Sequence, residues 1–279
     1  MCWMEGFLED KDVTINERKN MIVDRWNNRS DEYFVDVYDE YTEVIKNPQL
    51  GFPFELYPLF EKHVGNLKGK KVLVPSSGDN AAAFALHLLG AKVVSTDISE
   101  NQLKNAKLFA DKQGWDMEFL VQDTMKLDDI KDNEYDLVYT SNGVHVWIDD
   151  MPGMYKSIHR VLKPSGYNIF FETHPVGRPF TMNAYDVKIV KSYLDIYPQG
   201  ESLTHAWRTE DFVNAVISSG LVLREMKEIH SHREDLNHCN YLTVDDNDRY
   251  NWPGDTFDWK VNPWAALPQA LCLVSQKRK

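Results

Sequence analysis

Cysteine is scarce: Cys2, Cys239 and Cys272 are the only three in a chain of 279 residues. An odd number without C-x-x-C spacing excludes a disulfide framework and a cysteine-rich zinc site, and it fits a reducing compartment, so a cytoplasmic protein is expected. Long apolar runs are missing too. No stretch reaches 18 apolar residues, and the opening Met1-Cys2-Trp3-Met4-Glu5 has neither a basic nor an apolar leader segment. Neither membrane insertion nor export is therefore expected. Basic charge is the third shortage. With 31 Lys and Arg against 43 Asp and Glu, the formal net charge is −12. Such a chain offers a nucleic acid no counterion release and an anionic bilayer no attraction. A small molecule is the expected partner, with no nucleic acid and no membrane. A three-histidine metal site at His230, His232 and His238 lacks a carboxylate partner, and no metal is expected.

Glycine is missing where it would be most informative. The chain is organised around Lys71-Val72-Leu73-Val74-Pro75-Ser76-Ser77-Gly78-Asp79-Asn80, followed by an alanine- and leucine-rich run to Gly90. A short apolar run, a small polar turn and a helix stopped by glycine make a strand-turn-helix unit. A second strand, Ala91 to Thr96, ends at Asp97. That acid stands about 20 residues past the turn, where a Rossmann-type βαβ unit offers a carboxylate to a ribose. The turn holds only Gly78, whereas a pyrophosphate-binding G-x-G-x-x-G needs three glycines. A nicotinamide-dependent oxidoreductase is accordingly disfavoured.

The other elements follow in order. Thr14 and Glu17 form a T-x-x-E capping box that predicts a helix with Ile15, Ile22 and Trp26 on one face. A second amphipathic stretch from Ser30 to Asn47-Pro48 carries Tyr33, Phe34, Tyr38 and Tyr41, either docked on a sheet or closing over a pocket. A third helix is expected around Phe54 to His63. After Asp97, a Ser99/Gln102 box opens a helix ended by Gly114. Strands are expected at Met117 to Val121, Asp136 to Thr140 and Tyr167 to Glu172, the last two separated by a helix at about Asp149 to Leu162 and a Lys163-Pro164-Ser165-Gly166 turn. A helix from near Thr209 to Gly220 precedes two final strands, Leu221 to Ile229 and Ala270 to Ser275, expected to pair antiparallel at the sheet edge. The fold class is α/β, a Rossmann-like, doubly wound, seven-stranded, mostly parallel sheet with the last strand antiparallel. Residues 1–68 form an N-terminal helical segment or lid. Residues 69–279 form the catalytic domain, with cap insertions at 173–208 and 230–268.

These residues resemble the class I S-adenosylmethionine-dependent methyltransferases of the small-molecule branch, over about Lys70 to Ser275. The carriers are the strand-turn-helix at Val72 to Gly90, Asp97, Asp123 after the third strand, the Asp136-Leu137-Val138 strand and the Val161-to-Gly166 turn. The resemblance implies S-adenosylmethionine as cofactor. Asp97, with Ile98 beside it, would hold the ribose, Asp123 and Thr124 would flank the adenine, and Ser76, Ser77, Gly78, Asp79 and Asn80 would face the methionine portion, with Ser141 and Asn142 alongside. Three positions depart from the family pattern: Val74 stands at the usual acid, Ser76 at the first glycine and Asn80 at the third. A non-catalytic S-adenosylmethionine-binding or nucleoside-binding module is the alternative.

A sulfonium methyl is already activated, so transfer asks for an acceptor in line at about 3–3.5 Å and for a base only when the acceptor holds its proton tightly. His145 and His174, just past the fourth and fifth strands, are the candidate bases. The acceptor is expected between those strand ends, with Trp26, Tyr33 and Tyr38 as lid and Tyr185, Trp207 and Trp252 as walls. The acidic surface favours a neutral or cationic acceptor.

Overall fold

The computed structural model describes residues 14–78, 81–180, 187–198, 202–230 and 254–279. Its first helix, α1 (Ile15–Asp36), starts as expected. The Glu17 N–H donates to Thr14 Oγ1 at 3.2 Å, and the Thr14 N–H donates to Glu17 Oε2 at 2.9 Å. The helix then runs straight through Ser30, where a new one is expected. Ser30 Oγ donates back to the Asn27 carbonyl at 3.0 Å, which satisfies the hydroxyl inside the helix and leaves it no capping role. The break falls at Val37, before α2 (Tyr38–Lys46), which ends just short of Pro48. The expected helix at 54–63 is a single turn, α3 (Tyr57–Leu59), continued by a wider turn, Phe60–Val64.

The sheet comprises β1 (Lys71–Pro75), β2 (Lys92–Asp97), β3 (Glu118–Val121), β4 (Tyr135–Thr140), β5 (Leu162–Thr173), β6 (Val222–Ile229) and β7 (Ala270–Gln276). The order is β3-β2-β1-β4-β5-β7-β6, with β1 to β5 parallel and β7 antiparallel to both neighbours. This is the expected seven-stranded architecture, with the last two strands paired antiparallel at the sheet edge; within that pair β7 lies beside β5 and β6 is outermost. The sequences show why. Ala-Leu-Cys-Leu-Val-Ser carries no charge and is buried throughout, whereas Val-Leu-Arg-Glu-Met-Lys-Glu-Ile is rich in charge and alternates half-buried and exposed positions, as an edge strand with one solvated side does. β5 also begins earlier than expected, because Leu162 already pairs with Tyr135, and the register shifts over the turn before it resumes at Tyr167. There Ser165 takes a left-handed φ of +67°, and its N–H donates to the Lys277 carbonyl at 3.0 Å.

Strand alternation gives the sheet two apolar faces. Val72, Val74, Leu137, Tyr139 and Ile169 face α2, α4 (Ala81–Leu88) and α5 (Glu100–Gln113). Leu73, Val138 and Phe170 face α6 (Met151–Val161) and α7 (Thr209–Ser218). The aromatic surface of α2 and the end of α1 is docking surface: Tyr41 packs edge-on against Phe84 at 5.0 Å, and Phe109 lies 4.8 Å from Tyr41 and 5.8 Å from Tyr38. Tyr38 is thereby turned away from the C-terminal edge of the sheet. Strand order reverses at β1, so a crevice opens between the turn after β1 and the end of β4, where an open α/β sheet holds its ligand.

Candidate active site

The crevice is a cavity of 530 Å³, within the roughly 300–1,000 Å³ range of small-molecule sites. Its floor starts at Asp97, which ends β2 and is 6 % exposed. One carboxylate oxygen accepts the Gly78 N–H at 2.9 Å and the other the Ser99 N–H at 2.8 Å. Burial pushes the carboxyl up to about 6 from its ordinary 3.8, against the pull of backbone N–H groups at Ser99, Gly78 and Ile98.

Because Asp97 takes the Ser99 N–H, the expected Ser99/Gln102 box forms on one side only. Ser99 Oγ accepts the Gln102 N–H at 3.3 Å, and the Gln102 amide is left to lie over the first turn. A Cβ at residue 78 would come within 2.1 Å of Gln102 Oε1, and Gly78 sits at φ +49°; the one glycine retained is therefore the one the turn requires. Gln102 Nε2 is buried without a hydrogen-bond partner. Sequence reasoning used Gln102 only as a cap; its other role depends on where Asp97 points.

Ser76, at the position of the family's first glycine, also adopts φ +49°, and its hydroxyl pairs with Thr124 Oγ1 at 2.7 Å. Serine thus supports the left-handed turn with a side-chain bond to the loop after β3. The Ser77 N–H donates to the Thr96 carbonyl at 2.9 Å, and its hydroxyl pairs with that of Ser95. Ser76, Ser77, Asp97, Ile98, Gln102 and Asn142 share the cavity wall. Ser141 is buried at the end of β4. Asp123 and Thr124 lie outside the cavity lining: Asp123 accepts the Met125 N–H at 3.0 Å and the Lys19 ammonium of α1 at 2.6 Å. Asp79 and Asn80 lie outside the described residues.

The roof is α1, through Ile22, Trp26 and Tyr33. Trp26 stands edge-on to Trp147 at 5.4 Å. The helix is tied down by Lys19 on Asp123, by Arg18 on Asp149 at 2.9 Å, and by Asn27 Oδ1, which accepts from Ser99 Oγ at 2.8 Å. The lining part of the N-terminal segment therefore begins before Ser30 and stops at Tyr33.

At the far end stands Glu172, 1 % exposed and the penultimate residue of β5. Oε1 accepts the Gly143 and Thr173 N–H groups at 3.0 Å each, and Oε2 accepts the His145 backbone N–H at 3.2 Å and faces its Nδ1 at 3.3 Å. Burial alone would raise its pKa, but the bonds from His145 and Gly143 and the charge of Arg178 hold it below the ordinary 4.5. Sequence reasoning passed over Glu172, although a carboxylate ending an apolar strand is the same signal that marked Asp97.

Three expectations are corrected at this end. His145 is fully buried outside the cavity, between Phe170 and Phe212, with Nδ1 on Glu172 and Nε2 3.1 Å from the Tyr155 hydroxyl, so it does not face an acceptor. His174 does line the cavity, but Nδ1 accepts the Val176 N–H at 3.1 Å, which places the ring proton on Nε2, facing Glu228 Oε1 at 3.1 Å. Desolvation keeps that imidazole's pKa below its ordinary value, and it has no lone pair left for an acceptor's proton. Trp207 walls nothing: its Nε1 donates to the carbonyls of His145 and Ile148 at 3.0 and 3.2 Å, which fastens that turn to the α7 side of the sheet. Tyr185 and Trp252 lie outside the described residues, as do His232 and His238. The wall is built instead from Trp264, Leu267, Pro268 and Gln269 of the second insertion and Gly177 and Arg178 of the first.

Residues 73–170 match the family model of a methyltransferase domain. That segment is a class I S-adenosylmethionine-dependent methyltransferase domain. A ubiquinone biosynthesis O-methyltransferase of Acinetobacter baylyi is 26 % identical over 172 residues, covering 61 % of this chain and 71 % of that one. A sterol 24-C-methyltransferase of Gibberella zeae is 27 % identical over 197 residues, covering 70 % of this chain but only 47 % of its own length. In fold, the methyltransferase resembles an S-adenosylmethionine-dependent methyltransferase from Mesorhizobium loti, with a TM-score of 0.59 at 19 % identity over 79 % of this chain and 97 % of that one.

S-adenosylmethionine is the methyl donor of this methyltransferase, and the crevice fits it. Asp97 keeps acceptor capacity beyond its backbone bonds, the orphaned Gln102 Nε2 provides a donor on the same wall, and residue 78 lacks the side chain that would fill the cradle. Among the described residues no group of His, Cys, Asp and Glu could hold a metal ion, and no helix is long and apolar enough to cross a membrane.

Proposed function

We propose that this methyltransferase modifies a small-molecule acceptor held at the β4/β5 end of the crevice, with the cofactor-binding wall at the β1/β2 end. One observation carries the reading: a single cavity runs from Asp97 and Ser76 beneath α1 to Asn142, Glu172 and the Trp264-to-Gln269 wall. Such a cleft, roofed by Ile22 and Trp26, suits a compact organic molecule. The relatives named for ubiquinone biosynthesis and for sterol 24-C-methylation support the same substrate scale.

When bound, S-adenosylmethionine supplies a methyl group already activated on a sulfonium. The protein's own share is orientation and exclusion of water. Asp97 and Gln102 fix the nucleoside end, Ser76 and Gly78 shape the turn beside it, and Trp26 and Ile22 cover it. Neither His145 nor His174 offers a free nitrogen, so positioning is what these residues contribute. Calorimetry with S-adenosylmethionine, S-adenosylhomocysteine and the nicotinamide dinucleotides, followed by detection of S-adenosylhomocysteine release on a panel of small phenols, acids and amines, tests the reading. Micromolar binding of the two adenosyl compounds alone and turnover on a panel member are expected; binding without turnover on any member would favour the non-catalytic module.

The roof makes a separate prediction. Binding should slow amide exchange in α1, most strongly around Ile22 to Tyr33, since those residues line the cavity. Equal exchange in the free and the S-adenosylhomocysteine-bound protein would reduce α1 to a packed helix with no part in closing the site.

A further inference from the structure

At the β5 end of the cavity a strong cation stands with its hydrogen-bonding edge unused. Arg178 follows the turn after His174 and lines the cavity. Its side chain is 19 % exposed, and its Nε is buried without a hydrogen-bond partner. The adjacent carboxylate does not satisfy it. Glu172 Oε1 is 4.0 Å from Nη2, beyond a hydrogen bond, and both its oxygens are taken up by Gly143, Thr173 and His145. Of the other charged groups on this side, Glu228 is engaged by His174, while the Lys191 ammonium is held below its ordinary pKa first by desolvation and then by the Arg178 charge. A guanidinium withdrawn this far from water, with its Nε lacking a hydrogen-bond partner and its one carboxylate neighbour too far to accept from it, is unfavourable unless a further acceptor completes it.

The surroundings define what sort of anion. Trp26, Trp147, Val146, Trp264 and Leu267 give the cavity apolar walls. Arg178 follows β5, two strands from β1, and therefore lies roughly 10 Å across the sheet from the first turn. The guanidinium fork matches a planar carboxylate in two-point geometry. We propose that Arg178 binds a carboxylate of the methyl acceptor, so that the substrate is an aromatic or alkyl carboxylic acid. This deepens the small-molecule reading above and reverses the expectation drawn from the net charge of −12: the unused donor of Arg178 at the acceptor end, rather than the sum over the surface, selects the acceptor.

Calorimetry on the wild-type protein and on Arg178→Gln, each shown to be folded by thermal denaturation, tests the proposal with four probes. S-adenosylhomocysteine and 5′-methylthioadenosine differ by the amino-acid end of the cofactor, and benzoate and benzamide differ by the charge. Wild-type protein saturated with S-adenosylhomocysteine should bind benzoate about tenfold or more tightly than benzamide. Arg178→Gln should abolish that preference and leave S-adenosylhomocysteine affinity within about twofold. If Arg178→Gln instead weakens S-adenosylhomocysteine tenfold but spares 5′-methylthioadenosine, the carboxylate is the cofactor's own, and the acceptor assignment falls. No benzoate preference in the wild type, or one that survives the substitution, overturns the proposal outright. Should neither adenosyl compound bind the wild type, the methyltransferase reading is what fails, and the benzoate–benzamide pair on the free protein still decides Arg178. If Arg178→Gln does not fold, Arg178→Lys replaces it: a preference reduced at least fivefold is expected, and an unchanged one overturns the assignment.

Discussion

In Asp97→Ala protein, S-adenosylhomocysteine affinity measured by calorimetry is expected to fall at least about tenfold, because the variant loses charge-assisted bonds worth about 1.5–3 kcal/mol to ligand hydroxyls. The wild-type protein should add a pH signature. With a pKa raised to about 6 by burial, the carboxyl is largely protonated at pH 5 and ionised at pH 7.5. Hydroxyl donors favour the ionised form, so affinity should rise with pH through 6, by roughly tenfold between those two values, with release of a proton. In the free fold the sign is opposite: a carboxyl whose folded pKa lies above its unfolded 3.8 weakens the fold as pH rises through that window. Binding enthalpies in two buffers of different ionisation enthalpy at pH 6 measure the proton directly. Unchanged affinity in a folded Asp97→Ala, or pH-independent binding with no proton released, would remove Asp97 from the ligand site.

Glu172→Ala is expected to cost the fold about 3–5 kcal/mol and to lower Tm by roughly 10 °C, because it removes the carboxylate beside the Arg178 guanidinium and leaves the N–H groups of Gly143 and His145 without acceptors. Its pKa lies below the ordinary 4.5, so the stabilisation is present above that value and is lost as pH falls through the folded pKa. Urea denaturation at pH 7 and at pH 4 separates this from a simple cavity: the gap between wild type and variant should narrow at the lower pH. A loss under 1 kcal/mol at pH 7 would mean that the loop after β4 is held by its packing instead. Because Gly143 and Val144 line the cavity beside Glu172, the variant's cleft should also be less ordered at the acceptor end.

Some features were legible because they depend on neighbours along the chain. The Thr14/Glu17 box and the glycine stop of α5 at Gly114 rest on interactions within a few residues, and β1, β2 and β4 show as short local apolar runs. Asp97 was legible for the same reason, since the length of a βαβ unit fixes which residue ends its second strand. The histidines were misread: spacing puts His145 and His174 at the right edge of the sheet, but only packing decides that one ring turns into the core against Phe170 and Phe212 and that the other is held by Val176 and Glu228. Glu172 joins the site through the loop after β4, and Arg178 through Glu172, on a cavity wall shared with residues 264–269, far away in sequence.

By itself the sequence determined the two apolar faces of the sheet, the alternation of strand and helix, the single required glycine at the first turn and the carboxylate at the end of β2, because periodicity and local hydrogen bonding set them. Tertiary structure alone decided that β7 inserts beside β5, that α1 roofs the crevice from Ile22 to Tyr33, and that Gln102 and Arg178 are left with buried, unused donors. Those outcomes depend on which groups compete for the same few acceptors once distant segments meet, as when Asp97 takes the Ser99 N–H from Gln102 and the Gly143 and Thr173 N–H groups fill the Glu172 oxygen that Arg178 faces.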